Sequence, residues 1–188
     1  MVSFRYYYLV WEEVYTEAGA ITAYNEGGAS YYLEDGQNEW VALAVYTSVE
    51  DACVVQEMLC KKKRVNIVEK GIDTLYFKGK KQKASANTYV SGLKIFDRYI
   101  RMLEECIYRL DNGLSQEKAR DILSLIRRQF IYCGTIYDKE FPVLAQACIR
   151  AQNRLETIYK SVIKTKDLRY LVCEMAEENI SMAREFVL

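Results

Sequence analysis

Leu93, Phe96, Ile100, Leu103, Ile107 and Leu110 recur at alternating steps of three and four residues. That spacing is a heptad seam, so residues 93–110 belong to one long helix whose apolar stripe must be covered. The rhythm returns three times downstream. Ser115 caps a second helix with the seam Ala119, Ile122, Ile126, Phe130, Cys133 and Tyr137. Pro142 suits the first turn of a third, with Leu144, Cys148, Ala151, Leu155, Ile158 and Val162. Asp167 is read as the cap of a fourth, with Leu168, Val172, Met175, Asn179, Met182 and Phe186. The first helix, over 87–111, ends at Asp111-Asn112-Gly113, where Asn or Gly can adopt the left-handed C-cap. Four helices of similar length, about 21–25 residues each, joined by short loops, predict an antiparallel four-helix bundle over 84–188. Asn179 on its seam is either buried, fixing register, or solvated at a rim.

The residues before that region read differently. The stretch Phe4-Arg5-Tyr6-Tyr7-Tyr8-Leu9-Val10-Trp11 is aromatic and β-branched, and both of its faces are apolar. A strand of that kind is covered on both sides. Ala18-Gly19 reads as a turn, 20–24 as a second strand, and Asn25-Glu26-Gly27-Gly28 as a strong turn. Residues 30–34 and 39–46 form two further strands across a hairpin turn at Asp35-Gly36. In the last of these, Ala42 and Ala44 alternate with Leu43 and Val45, leaving one face open to close approach by a helix. Thr47-Ser48-Val49-Glu50 reads as a capping box in which Thr47 and Glu50 reciprocate, and Ala52, Val55 and Leu59 continue that helix towards Arg64. Residues 65–68 form a short strand and 74–78 another.

The expected fold class is therefore α+β: an N-terminal antiparallel β-sheet with one packed helix over 1–83, then a C-terminal antiparallel four-helix bundle over 84–188. Tyr32, Leu33, Trp40, Tyr46, Ser48, Glu50 and Ala52 follow an aromatic-Leu strand, a Trp-headed strand and a capped helix start. In this the piece 31–63 resembles a pattern seen in small phage and mobile-element proteins.

Residue chemistry excludes several functions. The chain has no histidine, which removes the commonest general base, the Ser-His and Cys-His nucleophile pairs and most zinc and di-iron centres. Glu174-x-x-Glu177 has the spacing of a di-iron helix without its imidazole, and reads as a solvated face. Neither a phosphate-binding Gly-x-x-x-x-Gly-Lys-Ser/Thr nor a Gly-x-Gly-x-x-Gly occurs. Six cysteines lie at 53, 60, 106, 133, 148 and 173 with no Cys-x-x-Cys pair, and read as small buried hydrophobes in a reducing cytoplasm. The start of the chain does not read as a signal peptide, and no run is long enough for a membrane span. No cofactor and no metal are expected, and no catalytic residue is assigned.

Charge is the remaining guide. The chain is formally neutral, yet residues 1–60 hold ten acids and one base, while 61–83 hold nine bases and two acids. The first sixty residues also carry eight of the sixteen tyrosines and both tryptophans. Acidic groups among large aromatics suit a basic protein surface, and Glu12, Glu13, Tyr31, Glu34 and Asp35 are the partner-binding candidates. The expected function is a non-enzymatic, cytoplasmic protein-interaction protein. An inhibitor of a nucleic-acid-handling system, of the anti-CRISPR or anti-defence type carried by a phage or mobile element, fits that description. The alternative is a nucleic-acid-binding module using Lys61, Lys62, Lys63, Arg64, Lys78, Lys80, Lys81 and Lys83 on phosphates. Against either stands the plain reading of solubilising acids, core aromatics and solvated lysines.

Overall fold

The computed structural model describes residues 3–60, 64–73 and 80–184, excluding the side chains of 12–14 and 80–85. The fold is mixed α+β. In chain order the elements are β1 (Phe4–Val14), α1 (Glu17–Asn25), β2 (Tyr31–Asp35), β3 (Asn38–Tyr46), α2 (Val49–Cys60), β4 (Val65–Ile72), α3 (Lys80–Asp111), α4 (Gln116–Tyr137), α5 (Pro142–Tyr159) and α6 (Thr165–Arg184). The four strands form one antiparallel sheet in the order β2-β3-β1-β4.

β1 is central because both of its faces need cover, and both receive it. Phe4, Tyr6, Tyr8 and Val10 point into a core shared with α3, α4, α5 and α6. Leu9 joins Val41, Leu43 and Val65 on the opposite face, beneath Ala20 and Ala23 of α1 and Ala52 of α2. The outer layer is thus two short helices, not one. A bulge in β3 divides its alanines: Val10 pairs with Ala42 and Leu9 with Ala44, leaving Leu43 as the extra residue. The expected single alanine face does not exist, since Ala42 belongs to the inner core and Ala44 pairs with outward-facing Leu9.

Residues 20–24, expected as a strand, are helical. Thr16 supplies the N-cap, its Oγ1 accepting from the Gly19 N–H at 3.0 Å, so the expected turn at Ala18-Gly19 is the first turn of α1. Ala20 and Ala23, one helical turn apart, pack against the sheet, and this spacing overrides the strand propensity of Ile21, Thr22 and Tyr24. The cap of α2 lies one residue later than the sequence suggests. Ser48 Oγ accepts from the Asp51 N–H and donates to Glu50, while Thr47 turns away to donate to Glu104 of α3 at 2.8 Å.

The long helix is longer than expected at 32 residues, and α4, α5 and α6 hold 22, 18 and 20, so the four are not alike. Their seams are nevertheless buried: Ile100, Leu103, Ile126, Leu155 and Met175 share one core. α4 packs chiefly on α5, and α3 on α6, while α6 also lies against β3 and β4. Ser115 caps α4, Pro142 opens α5, and Gly113 takes a left-handed φ of 92° after α3. One seam position and one expected cap fail. Val162 is 65 % exposed because α5 has already ended, and Asp167 lies inside the first turn of α6, accepting from the Tyr24 hydroxyl at 3.1 Å. Phe186 and the strand expected over 74–78 lie outside the described residues. Gly92 lets α3 approach its neighbours: a Cβ there would stand 2.3 Å from Leu144 and 3.1 Å from Tyr137.

Asn179 is fully buried, and it links α6 to β1 and α3. Its Nδ2 donates to the Tyr6 hydroxyl at 2.6 Å, and Tyr6 donates to Asp97 at 2.9 Å. Arg101 donates to the other Asp97 oxygen at 3.1 Å. Burial first, then the nearby Asp97 charge, push the Tyr6 phenol well above its ordinary range.

Candidate functional site

Antiparallel register decides which side chains share a face, and it splits the acidic candidates. Asp35 pairs with Asn38 across the tight turn, Glu34 with Glu39, Leu33 with Trp40, Tyr32 with Val41 and Tyr31 with Ala42. Leu33 and Ala42 face the inner core and Val41 the outer one. Period two therefore sends Tyr31 and Asp35 inward and Tyr32 and Glu34 outward.

On the outer side, at the hairpin end, Tyr32 stacks edge-on against Tyr15 with ring centroids 5.0 Å apart, and its hydroxyl donates to Glu39 at 2.8 Å. That bond, ahead of burial, raises the Tyr32 phenol pKa. Glu34 stands directly opposite Glu39, and like charges in that position are destabilising. Glu34, Asp35 and Glu39 are all exposed. The patch is acidic and aromatic, and its carboxylates have no ion-pair partner among the described residues.

Tyr31 has a different setting. It stacks on Tyr170 of α6 at 5.3 Å and lines a cavity of about 290 Å³ with Arg150, Arg154, Glu174, Glu177 and Glu178. A second cavity, about 350 Å³, adjoins it along α5 and α6, sharing Arg154, Leu171 and Glu174, and reaches Tyr24 and Ser30. Ser30 holds a left-handed φ of 57°, a strained setting for serine. The Tyr31 cavity contains three carboxylates, and each is paired with a cation. Arg154 meets Glu174 at 3.2 Å, Arg150 meets Glu178 at 2.6 Å, and Lys70 from β4 meets Glu177 at 2.8 Å. Lys70 also donates to the Glu34 carbonyl at 2.8 Å, tying one edge of the sheet to the other. Burial, then the Glu177 charge, raise the Tyr31 phenol pKa.

Glu12 and Glu13 lie in β1, with side chains outside the described residues. Of the basic candidates, Lys61, Lys62, Lys63 and Lys78 lie outside the described residues, and so do the side chains of Lys80, Lys81 and Lys83 at the start of α3. Arg64 is exposed just before β4. Sequence reasoning missed Tyr15, Tyr32 and Glu39. The Asp35-Gly36 turn signal held the means of finding two of them, because a two-residue loop fixes Glu34 opposite Glu39 and places Tyr32 on the same face.

All six cysteines are free; Cys106, Cys133, Cys148 and Cys173 are buried, whereas Cys53 and Cys60 are exposed on α2 and are not core hydrophobes. Among the described residues no cluster of three or more Cys, Asp or Glu is arranged to hold a metal ion. No helix among them is long and apolar enough to cross a membrane. Comparison with known proteins finds no matching family model, no matching curated protein and no matching solved structure.

Proposed function

We propose that this chain is a non-enzymatic protein-interaction protein that engages a basic partner surface through the β2–β3 hairpin. The observation that carries this reading is the cross-strand pair Glu34–Glu39. It places like charges opposite each other on the outer face, with no ion-pair partner among the described residues, next to the exposed Tyr32. Such a pair costs the free protein stability, and a partner's lysine or arginine relieves it on binding. Tyr32 and Tyr15 supply the rigid apolar contact that charge alone lacks. We read the four C-terminal helices as an antiparallel bundle that holds the sheet rigid behind the hairpin. Inhibition of a nucleic-acid-handling machine is the proposed role, because such machines offer basic surfaces and an acidic protein competes there with nucleic acid.

The test compares two fluorescent probes at matched ionic strength: an arginine-rich peptide and duplex DNA. The proposal expects the peptide to bind, the DNA not to, and the triple variant Glu34→Lys, Asp35→Lys, Glu39→Lys to lose peptide binding by at least about tenfold. Salt-sensitive DNA binding by the wild-type chain, with peptide binding indifferent to the hairpin charges, overturns the proposal in favour of the lysine clusters.

A further inference from the structure

The facing flanks of α3 and α4 meet at buried Tyr99 and exposed Gln129, whose side chains share a hydrogen bond of 3.3 Å, and Tyr99 meets Phe130 edge-on at 4.9 Å. Helical spacing then determines what surrounds that contact on the outside. Ile95 and Met102 stand four residues before and three after Tyr99. Leu125, Tyr132 and Ile136 stand four before, three after and seven after Gln129. Ile95 and Met102 are only partly buried, while Leu125, Tyr132 and Ile136 are 51, 63 and 50 % exposed. The result is an apolar strip over the α3–α4 seam, unlike the scattered exposed hydrophobes of an ordinary surface.

We infer that this strip is a docking site for an amphipathic helix of another protein, one with acidic residues flanking its apolar face. The strip runs from Leu125 to Ile136 along α4, about 16 Å, which matches three turns of a partner helix presenting anchors at i, i+3 or i+4, and i+7. Charge selects the flanks. Arg98 and Arg128 each immediately precede a residue of the central contact, both are exposed, and neither is in an ion pair among the described residues. Asp121 lies towards one end, and Glu105 is already paired with Arg109. The middle of the strip is therefore positive. A second copy of this chain is the poorer occupant, because a two-fold axis through that middle sets Arg98 and Arg128 against themselves. The site is remote in sequence from the hairpin and does not depend on it.

The probe is a displayed library of helices about 14 residues long, with leucine at i, i+3 and i+7 and glutamate or lysine randomised at the flanks. Glutamate-flanked binders are expected, with affinity for the purified chain falling at least about tenfold in Leu125→Ser and in the pair Arg98→Glu, Arg128→Glu. The charge pair should also turn preference towards lysine flanks, a gain that a merely unfolded variant would not show. Glu34→Lys with Glu39→Lys should leave this binding unchanged, so the two sites fail or succeed separately. Several results overturn the inference: no binder, no acidic bias, or binding indifferent to these variants. So does a dimer that Leu125→Ser dissociates, or sedimentation with phosphatidylcholine–phosphatidylglycerol vesicles that Leu125→Ser abolishes.

Discussion

The two faces of the sheet are built from the same strands and end in unequal cores. On the inner face, Tyr6, Tyr8 and Val10 join four long helices in one continuous apolar cluster that also encloses a polar chain from Asn179 through Tyr6 to Asp97. On the outer face, Leu9 and Val41 meet α1 and α2, and the cluster comprises seven buried residues among those described. α2 contributes one of them, Ala52, and leaves Val54 and Met58 in water. Burial scales with the number of helical turns that can lie on a surface, and short helices supply few. The inner face thus supplies rigidity, and the outer layer is where local opening should be cheapest.

Thiol chemistry gives the largest contrast between them. Cys106, Cys133, Cys148 and Cys173 lie in the inner core, while Cys53 and Cys60 face solvent on α2. Labelling of the four should require opening and run slower than that of Cys53 by about a thousandfold or more in native protein. Mass-spectrometric counting over time measures this; rapid modification of all six would mean that the helical core is not formed.

Side-chain truncation is the next test. Leu103, fully buried at the centre of α3, should cost roughly 2–5 kcal/mol when changed to Ala. Val55→Ala, half-buried in the outer layer, should cost about 1 kcal/mol. Equal losses in denaturant titrations would erase the distinction between the faces.

A titratable group sharpens it further. Glu104 of α3 accepts from Thr47 through Oε2, while its Oε1 is buried with no hydrogen-bond partner. Burial, the leading cause, raises its carboxyl from the ordinary 4.5 to about 7 despite the Thr47 hydrogen bond. An acid with a raised folded pKa binds its proton more tightly in the folded state. Its contribution is fully present below about pH 4.5 and is lost as pH rises towards 7. The loss is of the order of 3 kcal/mol by pH 8. Glu104→Gln should flatten that part of the stability–pH curve and be the more stable protein at pH 8. A wild-type curve level between pH 5 and 8 would show that Glu104 reaches water.

What was legible in the sequence follows the same division. Leu93 to Ile107 declared α3 because a long periodic seam has no competing reading, and the doubly apolar β1 announced cover on both faces. α1 was misread because five residues, Ala20 to Tyr24, satisfy strand propensity, while the helix depends on a cap at Thr16 and two small residues a turn apart. Tyr31 could be named as aromatic, but its groove required α5 and α6 to arrive from more than a hundred residues away. Arg150, Arg154, Glu174 and Glu178 look like ordinary solvated helix faces until the two helices are laid side by side.

The smallest effect tests the functional reading most directly, because its sign is the opposite of what truncation usually produces. Glu34 faces Glu39 across the hairpin with no ion-pair partner for either among the described residues, although Glu39 gains the Tyr32 hydroxyl at 2.8 Å. Neutralising Glu34 to Gln removes the repulsion and leaves the Tyr32–Glu39 bond in place. The isolated protein should therefore gain a few tenths of a kcal/mol, up to about 1 kcal/mol at low salt, and the gain should shrink as salt screens the pair. Glu39→Gln should gain less, because it weakens the bond to Tyr32. In both variants stability and peptide affinity should move in opposite directions, stability up and binding down, which is the pattern of a surface kept strained for a partner. If Glu34→Gln destabilises the chain and leaves peptide binding intact, the acids serve the hairpin's own folding and the partner does not touch them.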